Sequence, residues 1–153
     1  MNAPPPDAPP RTAPDPLGDA AVTLSPEQAQ AVVRLVEAAP TVRRRYQFFV
    51  WTQSQMQALL PHQLLVCGAY QRQRRALALD AFHSVVLSAD LLRQLTDSSS
   101  PLQTALLAAW MAGRGSPRAV ALDGLAGPAG EWARQLRQEL RCTHLLVHGV
   151  SRP

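Results

Sequence analysis

With 153 residues, 46% of them hydrophobic, the chain can bury one real core and is too short for two ordinary domains. It has no run of about 18 apolar residues, which excludes a helical membrane span. Its first residues, MNAPPPDAPPRTAPDP, lack the charged-then-apolar order of a secretory signal, so a cytoplasmic protein is expected. The net charge of +4 comes from fifteen Arg and no Lys. Those Arg are dispersed apart from Arg43, Arg44, Arg45 and Arg72, Arg74, Arg75. A nucleic-acid groove needs a continuous basic stripe, so no direct nucleic-acid partner is expected.

Residues 1–24 hold seven of the fourteen prolines and almost no large apolar groups. Such a segment cannot bury enough surface to offset its ordering entropy and reads as a disordered tail. Order is expected from "SPEQAQAVVRLVEAA", where Ser25 is placed to cap a helix. Pro26 fits the first helical position and Gln28 completes a capping box. Ala29, Val32, Val33 and Val36 follow helical spacing, and Pro40 stops or bends this helix.

Val42 to about Leu60 reads as a second helix, apolar over most of its girth, which must be covered on more than one side. "QLLVCGAY" (63–70) and "ALALDAFHSVVL" (76–87) read as a hairpin joined at Gln71 to Arg75. Ser88 caps a short helix to Thr96. Ser100-Pro101 opens another, closed by Gly113. "RAVALD" (118–123) is strand-like, "AGEWARQLRQEL" a one-sided helix, and "HLLVHGV" (144–150) a last strand. The order predicts an α+β domain over residues 25–153, with a small mixed, mostly antiparallel sheet and flanking helices. A flat apolar edge on the last strand suggests that the sheet is incomplete at its C-terminal end.

The motifs for chemistry are weak. Cys142, His144 and His148 share a strand face, but Leu146 lies between the histidines. A strand separates positions four apart by about 13 Å, too far for one ion, so no metal is expected. There is no G-x-S-x-G elbow and no Gly-rich phosphate loop. Asp80, His83 and Ser84 are split between the two faces of one strand. No catalytic residue and no cofactor are expected. Cys67 and Cys142 read as small buried hydrophobes rather than a disulfide.

Three of the eight aromatics, Phe48, Phe49 and Trp51, fall within four residues. Helical apolar stripes usually mean burial, and core filling is the plainest reading of this knot. The functional readings are a dimer face or an apolar ligand pocket, with Trp110 and Trp132 as further walls. His62, after Pro61 at a helix-to-strand junction, either bonds a nearby carbonyl or faces a ligand.

The blocks "FFVWTQSQMQ" and "LLPHQLLVCG", with Arg43 to Phe49 before them and Ala109-Trp110 and "HLLVHGV" after, carry a resemblance. Residues 24 to about 150 resemble the N-terminal region of LuxR-type transcriptional regulators associated with exopolysaccharide and PEP-CTERM/exosortase gene clusters. The resemblance implies a GAF-like or autoinducer-binding-like sensor domain that precedes a DNA-reading module. No helix-turn-helix pattern follows residue 115, so DNA binding is not carried over to this chain. The expected function is that of a regulatory sensor and dimerisation domain. Its partners would be itself or another regulator, with a small apolar effector as a further ligand.

Two other readings stand beside it. One is a stand-alone interaction module that antagonises full-length regulators, and the other is a small enzyme. A deep, dry pocket lined by Trp51 and Trp110 would favour sensing. A flat exposed aromatic surface would favour association, and convergent polar groups would favour an enzyme.

Overall fold

The computed structural model describes residues 22–150, so most of the expected tail lies outside the described residues. Helix α1 spans Pro26–Ala38. The Ser25 hydroxyl accepts the Gln28 N–H at 3.2 Å, and the Ser25 N–H donates to the Gln28 side chain at 2.9 Å. This is the capping box expected from the sequence, with Pro26 at the start where its missing N–H costs nothing. A 3-10 turn over Ala39–Thr41 carries the chain past Pro40.

The expected helix from Val42 to Leu60 is shorter and broken. Helix α2 is Arg45–Ser54, followed by a 3-10 turn at Met56–Ala58. It starts late because Val42 and Arg44 are extended. The Gln47 side-chain oxygen takes the N–H groups of both Arg43 and Arg44, which anchors the first turn. Near its end the Ser54 hydroxyl donates to the Val50 carbonyl at 2.7 Å, a back-bond that competes with helical continuation.

Strands β1 (Leu64–Gln71) and β2 (Ala76–His83) form the antiparallel hairpin, with Cys67 opposite Asp80 and Leu65 opposite Phe82. The second strand stops short of the expected Leu87. His83 Nδ1 bonds the Val85 carbonyl at 2.7 Å, a local turn that leaves Val86 exposed and sends Leu87 into the core. Helices α3 (Ala89–Thr96) and α4 (Pro101–Ala112) follow, capped by the hydroxyls of Ser88 and Ser100. Strand β3 is Arg118–Ala121 and helix α5 is Gly127–Leu140. Strand β4, His144–Val147, pairs antiparallel with β3, Arg118 opposite Val147.

The fold is therefore α+β, but its strands do not make one sheet. They form two separate two-stranded antiparallel ladders, β1-β2 and β3-β4. Pro117, with no N–H to offer, immediately precedes the four-residue β3, whose pairing is met by β4. Both ladders pack on one leucine core made of Leu87, Leu91, Leu95, Leu102, Leu106, Leu122, Ala133, Leu136 and Leu140. Leu64 and Val66 reach it from β1, and Val120, Leu145 and Val147 from β3 and β4. On β4, Leu146 points outward, and the side of the strand away from β3 has no strand partner among the described residues.

A polar tie closes this half of the molecule. The Glu139 carboxylate on α5 accepts the N–H and hydroxyl of Ser88 at 2.9 and 2.8 Å, and Gln135 donates to both groups. These bonds hold the Glu139 carboxyl below its usual range, the Ser88 N–H being the largest influence. A carboxylate at the N-terminus of α3 also meets the positive end of the helix dipole.

The whole leucine core lies between Leu87 and Leu140. Helices α1 and α2 contribute a single buried residue, Thr52. They form a layer apart, and how that layer is attached decides what surface it presents.

Candidate functional site: the α1–α2 layer and its open cleft

The attachment point is Phe82 of β2, only 6% exposed. Phe48 meets it at 5.1 Å between ring centroids, tilted by 57°, and Phe49 at 6.4 Å, nearly parallel. Phe48 also touches Trp51 at 5.8 Å. These separations are those of favourable aromatic pairs. Trp51 Nε1 donates to the Leu35 carbonyl at 3.3 Å, which joins α2 to α1.

Arg45 completes the joint. Its guanidinium lies 4.8 Å from the centre of the Phe82 ring. It donates two hydrogen bonds to the Asp80 carboxylate, at 2.5 and 2.8 Å. The pair holds Asp80 below and Arg45 above their ordinary values, through the hydrogen bond first. Both side chains are well exposed, so the ion pair fixes orientation more than it adds stability. The same carboxylate, opposite Cys67 in the ladder, helps burial to raise the Cys67 thiol. Burial also raises Cys142, and both cysteines are free thiols. Neither is primed as a nucleophile.

The face of α2 turned away from Phe82 is open, with apolar and polar side chains side by side. Tyr46 is 74% exposed and Val50 45%. Together with Ala38, Val42 and Trp51, and with the polar Thr41, Gln47, Ser54 and Gln55, they line an open cleft of about 360 Å³ between the end of α1 and α2. Val33 and Val36 are exposed on the outer side of α1. Arg43 and Arg44, in the extended stretch before α2, have no carboxylate partner among the described residues.

The structure thus brings the knot together as a chain of contacts, Phe48 and Phe49 on Phe82 and Trp51 on Phe48, and leaves His62 and Trp110 elsewhere. His62 Nδ1 bonds the Leu60 carbonyl at 2.7 Å, and the His62 backbone is held at both N–H and C=O by Gln57. Its other ring nitrogen lies 3.4 Å from the Gln53 amide. That arrangement shapes the turn into β1.

Trp110, on α4, packs beneath Gly149. A Cβ there would lie 2.7 Å from the indole, and one at Gly115 would lie 3.5 Å away. Its N–H is buried without a hydrogen-bond partner among the described residues. Trp132 packs against the leucine core. Neither tryptophan lines the cleft.

The polar residues weighed for chemistry do not converge. Asp80 is engaged by Arg45, His83 by the Val85 carbonyl, and the Ser84 N–H by the Gln63 carbonyl. His144 Nδ1 lies 2.9 Å from the Thr143 hydroxyl. Among the described residues no three His, Cys, Asp or Glu side chains are grouped as metal ligands, and no helix is long and apolar enough to cross a membrane.

Sequence reasoning did not find Phe82, Tyr46, Arg45 or Asp80 as parts of this surface. Phe82 carried the one available signal, its place on the inward face of an alternating strand. Arg45 and Asp80 are 35 residues apart, and no local pattern links them. Compared with protein-family models, curated proteins and solved structures, the chain matches none of them.

Proposed function

We propose that this chain is a regulatory sensor and dimerisation domain of a LuxR-type regulator of exopolysaccharide biosynthesis, working in the cytoplasm. It acts by association with a second copy or another regulator. The observation that carries this reading is the exposed apolar surface of the α1–α2 layer. Val36, Tyr46 and Val50 face solvent beside a cleft that is open rather than enclosed. An open cleft with an aromatic wall suits a protein surface better than a small effector, which is normally buried over most of its area. Polar groups tied up in local bonds support binding over catalysis. The GAF-like kinship and the regulatory role rest on the sequence resemblance.

Sedimentation velocity of the full chain over a concentration series tests the association. The weight-average mass should rise with concentration, and Val50→Lys should return it to that of a monomer. A wild-type chain that stays monomeric throughout refutes the reading. So does association that survives Val50→Lys and disappears in Leu146→Lys, because the contact would then lie on the outer face of β4.

A further inference from the structure

We propose that the β1–β2 ribbon and the arginines around it form a contact surface for the phosphate backbone of a nucleic-acid duplex. Along the chain those arginines are two short runs, Arg45 and Arg72 being 27 positions apart, so the sequence shows no continuous stripe. The fold removes that separation. The surface lies apart from the α1–α2 cleft and does not use it.

Three observations carry this. The first is where the two runs meet. The Arg45 guanidinium is bonded to the Asp80 carboxylate of β2, and Arg43 and Arg44 immediately precede it. Arg72, Arg74 and Arg75 lie in the turn of the same hairpin, beyond the last ladder pair, Gln71 with Ala76. The Arg74 N–H donates to the Gln71 carbonyl at 3.2 Å, and Arg75 takes a left-handed backbone, with φ of 49°. Asp80 and Ala76, four residues apart on one strand, are separated by about 13 Å. One ribbon thus carries an arginine group at its tip and holds another about 13 Å below it.

The second is free charge. Between Glu37 and Asp80 the chain has six Arg and no Asp or Glu. Asp80 engages Arg45. Arg43, Arg44, Arg72, Arg74 and Arg75 are exposed and pair with no carboxylate among the described residues. The arginines of α5, by contrast, share their helix with Glu131 and Glu139.

The third is shape. Alternate residues of a strand share a face, so Ala78 and Ala76 follow Asp80 on the side turned to Arg45, opposite Ala69 and Gln71. All four are exposed. They make a flat, uncharged floor between the two arginine groups. The major groove of B-DNA is about 12 Å wide, close to the spacing of those groups. The ribbon bridges the groove with one arginine group against each phosphate wall, where a guanidinium bonds phosphate through its fork of N–H donors.

The chemistry of the ribbon selects among polyanions. Single strands are held by stacking successive bases on aromatic side chains. The ribbon has one exposed aromatic, Tyr70, and it stands on the other face, opposite Leu77. A membrane-surface site adds apolar side chains to its basic ones, and the turn has only Gln73 among its arginines. Of the four floor residues only Gln71 can hydrogen-bond a base, so the contact is to the backbone and reads no sequence.

Fluorescence anisotropy of a labelled DNA duplex, titrated with the full chain at several salt concentrations, tests this. Each phosphate contact contributes about −0.9 to the slope of log K against log salt, so five free arginines set a slope of about −4. Replacing Arg72, Arg74 and Arg75 with Gln should weaken binding about tenfold or more at low salt and flatten the slope by about 3. Arg43→Gln with Arg44→Gln should flatten it by about 2. Arg134→Gln with Arg137→Gln, on the exposed side of α5, should leave affinity and slope unchanged. Every altered residue is exposed, so Tm should stay that of the wild type. Two duplexes of unrelated sequence should bind alike.

A wild-type chain that does not bind duplex at low salt overturns the inference. Equal weakening by the α5 changes overturns it too, because the attraction would then come from net charge alone. So does a chain that prefers phosphatidylglycerol vesicles or polyglutamate to duplex at equal charge concentration, which would make the ribbon a membrane or protein contact.

Discussion

Phe82→Ala tests whether the α1–α2 layer hangs on one side chain. Phe82 is almost fully buried, and burying such a ring contributes about 1.5–3 kcal/mol. Its contacts with Phe48 and Phe49 add about 0.5–1.5 kcal/mol beyond area. The Arg45 cation over its face adds about 0.5–1 kcal/mol at an exposed site. Together these come to about 2.5–5.5 kcal/mol, which brackets the range for removing a buried Phe. The loss falls on the attachment of α2, because Phe82 stands apart from the leucine cluster. Local opening of residues 45–54 should become at least roughly a hundredfold more frequent.

Hydrogen exchange of the full chain, followed by mass spectrometry, reads this directly. Peptides from α2 should exchange faster by about that factor, while peptides from α5 keep their protection. Leu136→Ala, which opens a cavity at a fully buried site, supplies the contrast and should accelerate α5 and the rest alike. Equal acceleration of α2 and α5 in Phe82→Ala would show one cooperative unit and refute the two-layer account. No acceleration of α2 would show that the aromatic contacts hold nothing.

Two further predictions concern the other half. Gly149→Ala would place a Cβ 2.7 Å from the Trp110 ring; overpacking of about 1–3 kcal/mol should lower Tm by roughly 2–12 °C and alter tryptophan fluorescence. An unchanged Tm would mean that the ring is not fixed there. Glu139 has a lowered pKa in the folded chain, so its contribution is present above its unfolded value and is lost as pH falls through the folded one. The stability difference between wild type and Glu139→Gln should therefore be largest near neutral pH and shrink below about pH 4.5, the ordinary value for this group. Chemical denaturation across pH measures it, and a difference constant from pH 7 to pH 3 would refute the role given to the Ser88 contact.

The helices were legible in the sequence wherever their ends carried chemistry. Ser25, Ser88 and Ser100 each cap a helix as expected, because a hydroxyl before a Pro or apolar run satisfies orphan N–H groups locally. The start of α2 was hidden because its first turn is anchored by Gln47 reaching backwards, which leaves no mark in the hydrophobic period. Strand ends were misplaced for a similar reason. His83 turns the chain with a side-chain bond in the middle of an apolar run.

The β1–β2 hairpin was legible from its turn, but the partnership of the two short strands was not. β3 and β4 are four residues each, and nothing in four residues states whether they extend the hairpin or pair with each other. At the site, the knot of Phe48, Phe49 and Trp51 was visible as composition. Its anchoring on Phe82 and the polar lock of Arg45 on Asp80 depend on distant chain segments meeting.

The division of the molecule has a consequence for the order in which it is made. A ribosome releases α1 and α2 first, and they carry almost no core of their own. Phe48 and Phe49 then wait for their partner ring until Phe82 emerges, some thirty residues later. The leucines that consolidate the domain close only once Leu140 is out. For most of synthesis the newest part of the chain is the part that the oldest is waiting for. The aromatic helix spends that interval as the most adhesive surface on the nascent protein.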